Sequence, residues 1–458
     1  MPSPEEIAGL ARETLGIEEL RRGQLQAIEA VTSGRDTLGV MSTGYGKSAI
    51  YQLAGEFMAG PTIVVSPLIA LQRDQVEAME EAAPGEAAEL NSTLSERRRE
   101  ELMESLRRGE REFVLLAPEQ LAKDEVLEEL RKAKPSLLVV DEAHCISEWG
   151  HDFRPDYLRL GAFAAELGHP TLLALTATAS PPVRREIVER LGMEDPAVVV
   201  RGFDRLHLAV RRFSEERALV EAVREAEKPG IVYIATRRAS QELAEELREA
   251  GVATEAYHAG LASRRRGELQ DAFMDDEIEA IVATTAFGMG IDKPNVRFVF
   301  HAGLSDSVDS YYQEVGRAGR DGEPAAACSF YRPEDQAIRR FFAGNTPEDR
   351  ADYEQSRLEM MRSYAEYTGC RRDFVLSYFG EEHEPPCGNC DNCDAGLVEP
   401  EPEEERPFEI GATVTHSEWG PGEVQRYDND RVVVLFESVG YRTLDLELVQ
   451  EKHLLQPV

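Results

Sequence analysis

Long apolar runs, cysteines and positive charge are all scarce in this sequence. No apolar stretch approaches the roughly 18 residues of a membrane span, and the opening MPSPEEIAGL lacks the basic and apolar regions of a secretory signal, so we expect a cytoplasmic protein. Six cysteines in 458 residues exclude a small disulfide-rich scaffold. Lysine and arginine number 51 against 86 aspartates and glutamates, a net charge of −35. Any contact with nucleic acid must therefore use local basic clusters rather than overall charge.

Short apolar runs alternate with amphipathic stretches along most of the chain, which predicts an α/β fold built on doubly wound parallel sheets. A second series of such runs begins after Phe203, so two lobes of the same kind are expected. The first series is Thr37–Met41, Thr62–Ser66, Phe113–Ala117, Leu137–Val140 and Leu172–Thr176, and the second is Gly230–Ala235, Val252–His258, Ala280–Thr284, Arg297–His301 and Ala327–Tyr331.

The segment STGYGKS follows the first strand and precedes a helix that we expect to begin near Ala49. Glycines let backbone N–H groups wrap a triphosphate, Lys47 reaches its terminal oxygens, and the Ser48 hydroxyl is placed to bind Mg²⁺. The strict phosphate-loop pattern has a further glycine where this chain has Met41. The residues assigned to ATP here are Thr43, Gly44, Gly46, Lys47 and Ser48.

A second motif, DEAHCISEWGHDFRPDY, follows the apolar strand that ends at Val140. Asp141 and Glu142 emerge at the carboxyl end of that strand, where α/β sheets bind ligands, so Asp141 is predicted to hold Mg²⁺ and Glu142 to orient a water. The following loop supplies rings and a guanidinium suited to single-stranded nucleic acid. Its predicted contacts are Trp149, His151, Phe153 and Arg154; the alternative is a surface loop whose tryptophan merely packs.

These motifs, in this order, resemble those of the RecQ-family DNA helicases of superfamily 2, from about Leu10 to Asp394. The resemblance implies two RecA-like lobes with ATP between them and movement 3′ to 5′ along DNA. The remaining stretches that carry it are LRRGQ (Leu20–Gln24), VVSPLIALQRDQV (Val64–Val76), LTATA (Leu175–Ala179), YHAGL (Tyr257–Leu261), VATTAFGMGIDKPNVRFVFH (Val282–His301) and YYQEVGRAGRDG (Tyr311–Gly322).

The resemblance also assigns roles outside the two ATP motifs. Arg320 matches the family's arginine finger, and Arg317, three residues earlier on the same predicted helix face, is its neighbour. Gln24 matches the glutamine that reads adenine and Arg21 the arginine beside it, although Ile17 stands where the family usually has an aromatic residue. The loops that would face DNA in the second lobe contribute His258, Thr284 and Thr285, for which the alternative is ordinary strand-end residues.

Four of the six cysteines are Cys370, Cys387, Cys390 and Cys393. Four thiolates at this spacing predict a tetrahedral Zn²⁺ site, and disulfides are the weaker interpretation in a reducing cytoplasm. The RecQ family has the same cluster after its second lobe, on a helical platform. The two cysteines left over, Cys145 and Cys328, are expected to be buried thiols.

After Asp394 the sequence departs from the family. A Pro- and Glu-rich linker is followed by short alternating strands that predict a small SH3- or Tudor-like barrel, which resembles the terminal barrel of UvrD-type helicases. Winged-helix and helicase-and-RNaseD-C-terminal domains are not recognised. The predicted domains are lobe 1 (1–203), lobe 2 (204–332), a helical zinc-binding domain (333–394), the acidic linker (395–407) and the barrel (408–458).

Three function classes remain open. The favoured one is an ATP-dependent DNA helicase of recombination and repair, acting on single-stranded, forked or tailed DNA as a monomer. The second is a translocase or remodeller that hydrolyses ATP on single strands but unwinds weakly, recruited through its barrel by a protein partner. The third, an ATP-gated binding module without turnover, is disfavoured by the joint presence of Lys47, Glu142 and Arg320. RNA is possible as a substrate, although the aromatic-rich loop favours DNA.

Overall fold

The computed structural model of the protein divides into two compact units, Met1–Phe203 and Asp204–Val458. The described residues contain no helix that combines the length and apolar character needed to cross a membrane. They are 1–67, 72, 75–77, 79–80, 87–91, 94–110, 112–147, 152–204, 208–213, 217–288, 291, 293–331, 348–381, 383–398, 406–428 and 430–458.

The first unit is built on a parallel sheet of seven strands in the order β3-β4-β2-β5-β6-β1-β7. Its inner strands are buried along their whole length because helices cover both faces, as parallel sheets require. The strands are β1 (Thr37–Met41), β2 (Thr62–Val65), β3 (Ala87–Leu90), β4 (Phe113–Leu116), β5 (Leu137–Val140), β6 (Thr171–Thr176) and β7 (Ala197–Arg201).

Helices of the first unit begin and end where local signals place them. Ser3 and Glu6 form a reciprocal capping box at the first helix, and Gly16 ends it in the left-handed conformation. The described helices are α1 (Pro4–Leu15), α2 (Arg22–Thr32), α3 (Lys47–Glu56), α4 (Glu96–Arg107), α5 (Pro118–Leu121), α6 (Asp124–Ala133), α7 (Leu160–Glu166) and α8 (Pro181–Leu191).

The second unit contains a six-stranded parallel sheet in the order β10-β11-β9-β12-β13-β8, which confirms the predicted second lobe. Its strands are β8 (Leu208–Phe213), β9 (Gly230–Tyr233), β10 (Thr254–Tyr257), β11 (Ala280–Ala283), β12 (Phe298–His301) and β13 (Ala325–Phe330). Its helices are α9 (Arg217–Glu225), α10 (Arg237–Glu249), α11 (Ser263–Met274) and α12 (Val308–Val315).

The rest of the second unit is a helical region followed by a small sheet. The helices are α13 (Glu348–Glu366), α14 (Arg371–Tyr378) and α15 (Asp391–Asp394). The predicted terminal β-structure is a five-stranded antiparallel sheet in the order β17-β16-β15-β14-β18. Its elements are β14 (Thr413–His416), β15 (Gly420–Asp428), β16 (Arg431–Phe436), β17 (Gly440–Asp445), α16 (Leu446–Lys452) and β18 (Leu455–Pro457). We refer to residues 408–458 as the β-domain.

The sheet order places the ATP motifs together at the carboxyl ends of neighbouring strands. Strand β6 lies between β1 and β5 in a parallel arrangement, so the carboxyl ends of all three strands meet. The phosphate loop follows β1, Asp141 follows β5, and Thr176 is the last residue of β6. One expectation needs correction: the helix after the loop begins at Lys47, not near Ala49, so Lys47 and Ser48 belong to its first turn.

Candidate nucleotide site and zinc centre

The phosphate loop is built around two glycines in the left-handed conformation, Gly44 with φ 79° and Gly46 with φ 83°. A Cβ atom at position 46 would lie 2.6 Å from the Gln24 amide nitrogen and would displace that amide, and the positive φ by itself favours glycine. Lys47 Nζ donates to the carbonyls of Met41 at 2.9 Å and Ser42 at 3.4 Å. Its ammonium therefore lies across the loop, at the carboxyl end of β1.

Gln24 and Arg21 both bind the phosphate loop itself. The Gln24 amide, 4% exposed, donates to the carbonyls of Tyr45 at 3.2 Å and Gly46 at 2.9 Å, and its oxygen accepts from the Arg21 backbone at 2.8 Å. Arg21 Nη1 donates to Gly44 O at 3.0 Å, and its guanidinium lies 4.9 Å from the Tyr45 ring centroid. These contacts give both residues a role in shaping the loop, and adenine recognition by them stays a prediction.

Asp141 is a buried carboxylate directly after β5. Burial raises its pKa to about 6, the charge of Glu142 adds to this, and Lys47 opposes it. Asp141 Oδ1 accepts from the backbone N–H of Glu142 at 3.0 Å, while its backbone carbonyl accepts from the Tyr157 hydroxyl at 3.1 Å. Lys47 and Asp141 thus sense each other's charge, as a shared Mg²⁺-nucleotide site requires, and Ser48 lies half-buried in the first turn of α3.

Glu142 has a partner that the sequence reasoning did not select. His144 Nδ1 lies 3.3 Å from Glu142 Oε2 and 2.9 Å from the Thr176 hydroxyl, so one buried imidazole joins the DEAH and LTATA motifs. Glu142 itself is held at φ 48°, an unusual value for a residue with a long side chain. Burial lowers the pKa of His144, but Cys145 and Glu142 raise it, and the net result is well above the usual value. The signal available beforehand was the LTATA motif, which ends β6 beside β5.

The predicted nucleic-acid loop is only partly described, since Trp149 and His151 lie outside the described residues. Phe153 is half-buried. Arg154 Nη1 donates to Pro67 O at 3.0 Å, and its other nitrogens contact Asp152 Oδ2 at 3.2 and 3.3 Å. The guanidinium therefore already has partners within its own unit. Binding of a DNA phosphate by Arg154 stays a prediction, and it requires that the phosphate replace Asp152 as the partner of the guanidinium.

In the second unit, Arg317 and Arg320 follow α12 and share one neighbour, Tyr233. Burial raises the pKa of the Tyr233 phenol to about 12, and the charges of both arginines oppose that rise. Arg317 is 4% exposed and Arg320 is half-buried. The Tyr233 hydroxyl donates to Phe287 O at 2.7 Å. Residues from three stretches of the RecQ-like sequence, those around β9, β11 and α12, therefore converge on the arginine pair.

Glu314 fixes the end of α12 just before the arginines. Its Oε2 lies 2.8 Å from His301 Nε2 and 3.1 Å from the Ser305 hydroxyl. The His301 ring in turn stacks on Tyr233, with centroids 5.4 Å apart and planes inclined by 22°. This network, which the sequence reasoning also missed, connects the helix terminus to the tyrosine that the arginines contact.

The three residues predicted to face DNA in the second lobe differ in exposure. His258 is buried, and its Nε2 lies 3.0 Å from the Gln241 amide nitrogen. Thr284 is half-buried, with its hydroxyl accepting from Ala286 N at 3.4 Å, and Thr285 is exposed. They follow β10 and β11, which are parallel neighbours, so all three lie at one sheet edge. Of the three, only Thr285 presents an exposed side chain.

The four cysteines of the predicted zinc site converge, with all their sulfur atoms within 4.8 Å of one another. Cys387 Sγ and Cys393 Sγ are 3.8 Å apart, close to the separation of about 3.8 Å that tetrahedral Zn–S bonds of about 2.3 Å produce. A hydrogen bond accepted from Cys370 lowers the pKa of Cys390 to about 4, so one thiolate is already favoured. The donor set and its spacing fit Zn²⁺.

Family comparisons assign each part of this architecture. The DEAD/DEAH box helicase family matches residues 21–186, the helicase conserved C-terminal domain 214–322, and the RecQ zinc-binding family 333–394. An ATP-dependent DNA helicase RecQ from Pasteurella multocida is 39% identical over 399 residues, which is 86% of this chain and 63% of that protein. One from Bacillus subtilis is 41% identical over 385 residues, 82% of this chain and 65% of that protein.

The chain belongs to the RecQ family. It spans somewhat less than two thirds of the length of these two RecQ relatives. The RecQ zinc-binding match covers all four cysteines, which agrees with their predicted role as the Zn²⁺ ligands.

Two solved helicase structures share the fold of most of this chain. Mycobacterium smegmatis helicase Lhr bound to ssDNA and AMP-PNP has a TM-score of 0.55 at 21% identity, covering 80% of this chain and 55% of that one. DUF1998 helicase MrfA bound to DNA has a TM-score of 0.60 at 19% identity, covering 77% and 58%. At these identities the likeness concerns the fold alone.

The β-domain of this RecQ protein matches a family described as a protein of unknown function (DUF3553), over residues 408–453. The likeness to the terminal barrel of UvrD-type helicases stays a prediction.

Proposed function

We propose that this RecQ protein is an ATP-dependent DNA helicase that moves 3′ to 5′ on single-stranded DNA and unwinds duplexes in recombination and repair. The observation that carries the proposal is the set formed by Lys47, Asp141 and Glu142 at one sheet edge, together with a RecQ zinc-binding region in the same chain. Relatives at 39% and 41% identity are named ATP-dependent DNA helicases. The direction of movement rests on the family resemblance.

In the proposed mechanism, each residue acts on the nucleotide or holds a residue that does. Lys47 would neutralise the terminal phosphates. Ser48 and Asp141 would hold Mg²⁺, which would supply charge neutralisation to the leaving group. Glu142 orients the attacking water, and His144 keeps its carboxylate in place through a contact of 3.3 Å. Arg320 is the proposed arginine finger.

The link to DNA is proposed to run through the loop after the DEAH motif. Its backbone is joined directly to this motif, because Arg154 N donates to Cys145 O at 2.8 Å and Tyr157 donates to Asp141 O. A DNA strand whose phosphate draws Arg154 away from Asp152 would thus move the backbone that carries Asp141 and Glu142. Arg154→Ala is expected to lower DNA-stimulated hydrolysis more than basal hydrolysis.

A strand-displacement assay tests the proposal directly. The substrates are 3′-tailed, 5′-tailed, forked and blunt DNA and an RNA duplex, each with and without ATP. Unwinding of the 3′-tailed and forked DNA only is the expected result. DNA-stimulated hydrolysis without strand displacement would instead identify a translocase or remodeller. Preference for the RNA duplex would overturn the assignment of DNA as the substrate. We further propose that the protein acts in the cytoplasm as a monomer and that its β-domain meets a protein partner.

A further inference from the structure

The β-domain is packed against the helical region rather than separated from it. The hydroxyl of Ser356 on α13, fully buried, accepts from the backbone N–H of Tyr441 on β17 at 2.6 Å. The rings of Tyr441 and Tyr378 lie 5.7 Å apart, and Arg442 forms an ion pair with Glu359 at 3.8 Å. Strand β17 is therefore one side of an interface within the second unit.

Arg426 is the centre of this interface. Its guanidinium carbon lies 3.4 Å from the ring centroid of Phe374 and 4.7 Å from that of Tyr367. We call these two rings the aromatic notch. Asp428 pairs with the guanidinium at 2.8 Å, and only 9% of Arg426 is exposed. A cation packed against two rings, shielded from water and paired with a carboxylate, is a strong and specific contact.

A bulge in β15 aims Arg426 at the notch. Val424 pairs with Val434 and Arg426 with Val433, so two residues of β15 oppose one residue of β16. If β15 were a regular strand here, Arg426 would point to the same side as Val424, into the core of the β-domain. The bulge turns it outward instead, which indicates that the strand is shaped for this contact.

The cysteine segment 387–393, which we call the zinc knuckle, supports the aromatic notch from the other side. Asn392 lies between the ligands Cys390 and Cys393, and its Nδ2 donates to the carbonyls of Tyr367 at 2.8 Å and Gly369 at 2.7 Å. Arg371 and Asp391 add a second bond between α14 and the knuckle. The backbone that carries the Tyr367 ring is therefore held by the segment that the metal orders.

We infer that the β-domain is a dedicated partner of the zinc-binding region in the same chain, docked by Arg426 in the aromatic notch, and that bound zinc maintains the notch through Asn392. Loss of the metal frees the cysteine segment, the carbonyls of Tyr367 and Gly369 lose their hydrogen bonds from Asn392, and the β-domain undocks. The β-domain keeps its own core of valines and Phe436, so undocking does not require its unfolding. The inference does not depend on helicase activity.

Hydrogen exchange measured by mass spectrometry on the full chain tests the inference. Four samples are compared: the zinc-loaded protein, the same protein after chelation, Asn392→Ala, which retains all four cysteines, and Arg426→Gln. Lys452→Gln is the control, because Lys452 is an exposed cation at the end of α16 in the same β-domain. Zinc content is measured for each sample.

We expect peptides covering 424–428 and 440–442 to exchange about tenfold faster after chelation, in Asn392→Ala and in Arg426→Gln, whereas Lys452→Gln matches the wild type. Arg426→Gln should still hold one zinc per chain and keep the cysteine segment protected. Protection of the β-domain peptides that is unchanged by chelation would overturn the role of zinc. Unchanged protection in Arg426→Gln would overturn docking by Arg426.

Discussion

The ATP-binding edge of the first unit and the zinc and β-domain region of the second are held together in different ways. Lys47 bonds carbonyls six and five residues away, and Asp141 bonds the next residue. By contrast, Ser356 and Tyr441 are 85 residues apart, and Tyr378 reaches Asp309 on α12 across 69 residues. These bonds of Lys47 and Asp141 are local along the chain, although the strands that carry the two residues are distant in sequence. The zinc and β-domain region is held by bonds between distant segments.

This difference indicates which substitutions should remove activity and which should destabilise the fold. A site built from local contacts loses its chemistry when a side chain is removed, but its scaffold of buried strands remains. A region built from distant contacts loses order first, because each contact supports the next. Variants of the two regions should therefore differ in kind, and the following outcomes test that contrast from the largest effect to the smallest.

Lys47→Ala is expected to lower the turnover of ATP by about 10³-fold, because it removes the cation nearest the transferred phosphoryl group. The thermal midpoint and the affinity for single-stranded DNA should remain close to wild type. Steady-state hydrolysis, calorimetry and fluorescence anisotropy measure these quantities, and Lys132→Ala, an exposed lysine of α6, is the control. Wild-type turnover in Lys47→Ala would refute the assignment of the nucleotide site.

Cys390→Ser should instead damage the fold. Three ligands remain, metal affinity falls, and the binding energy that orders the helical region is lost with it. Elemental analysis should show one zinc per wild-type chain and much less in the variant, and residues 355–395 should become sensitive to protease. Iron in place of zinc, or resistance to protease without any metal, would contradict the assignment. Cys328→Ser, outside the cluster, is the control.

Deletion of the β-domain after Pro407 should lower the free energy of unfolding by about 2 kcal/mol, because the rings of Phe374 and Tyr378 become exposed. From the sequence alone we expect DNA-stimulated hydrolysis to stay nearly unchanged, since all motifs precede the deletion. The structure leads us instead to expect some loss of hydrolysis. The deletion exposes Tyr378, whose hydroxyl donates to Asp309 on α12, the helix that precedes Arg317 and Arg320. Denaturant unfolding and hydrolysis measured on the same samples separate the two effects. A truncated protein as stable as the full chain would show that the interface contributes little.

The pKa of Asp141 predicts a change in Mg²⁺ dependence. Its folded-state pKa is raised to about 6, so the carboxyl takes up a proton as the pH falls through that value and then competes with the metal. The apparent affinity for Mg²⁺-ATP should fall about tenfold between about pH 7 and about pH 5 and should be level above about pH 7. Titration of Mg²⁺ at each pH measures this. A midpoint near the ordinary aspartate value would show that burial does not act on this group.

Glu314→Gln is expected to have the smallest effect, a fall in turnover of about threefold with the KM for ATP unchanged. The amide keeps the size of the carboxylate, but its contact with His301 loses the negative charge. Glu323→Gln, an exposed neighbour, serves as the control. An increase in KM instead of a loss of turnover would place Glu314 in nucleotide binding rather than in positioning the arginines.

Some elements were predictable from local pattern. Thr37–Met41 and Leu137–Val140 are strands with the predicted bounds, because continuous apolar runs of that length are typical of strands buried on both faces. Ala87–Leu90, Ala197–Arg201 and Leu208–Phe213 were not predicted. Ala87–Leu90 is mixed in polarity, and Leu208–Phe213 carries two arginines. Their pairing at the sheet edges depends on neighbouring strands, which a local window does not contain.

The sequence by itself determined which chemical groups are present and where the motifs stand: a phosphate loop, a DEAH carboxylate pair, an arginine motif and four cysteines. Only the tertiary structure decided which partners these groups have. It placed Gln24 on the phosphate loop, His144 against Thr176, and Arg426 against two rings of the zinc-binding region. The physical reason is range: turn and strand preferences act over a few residues, whereas these contacts depend on packing between segments far apart in the chain.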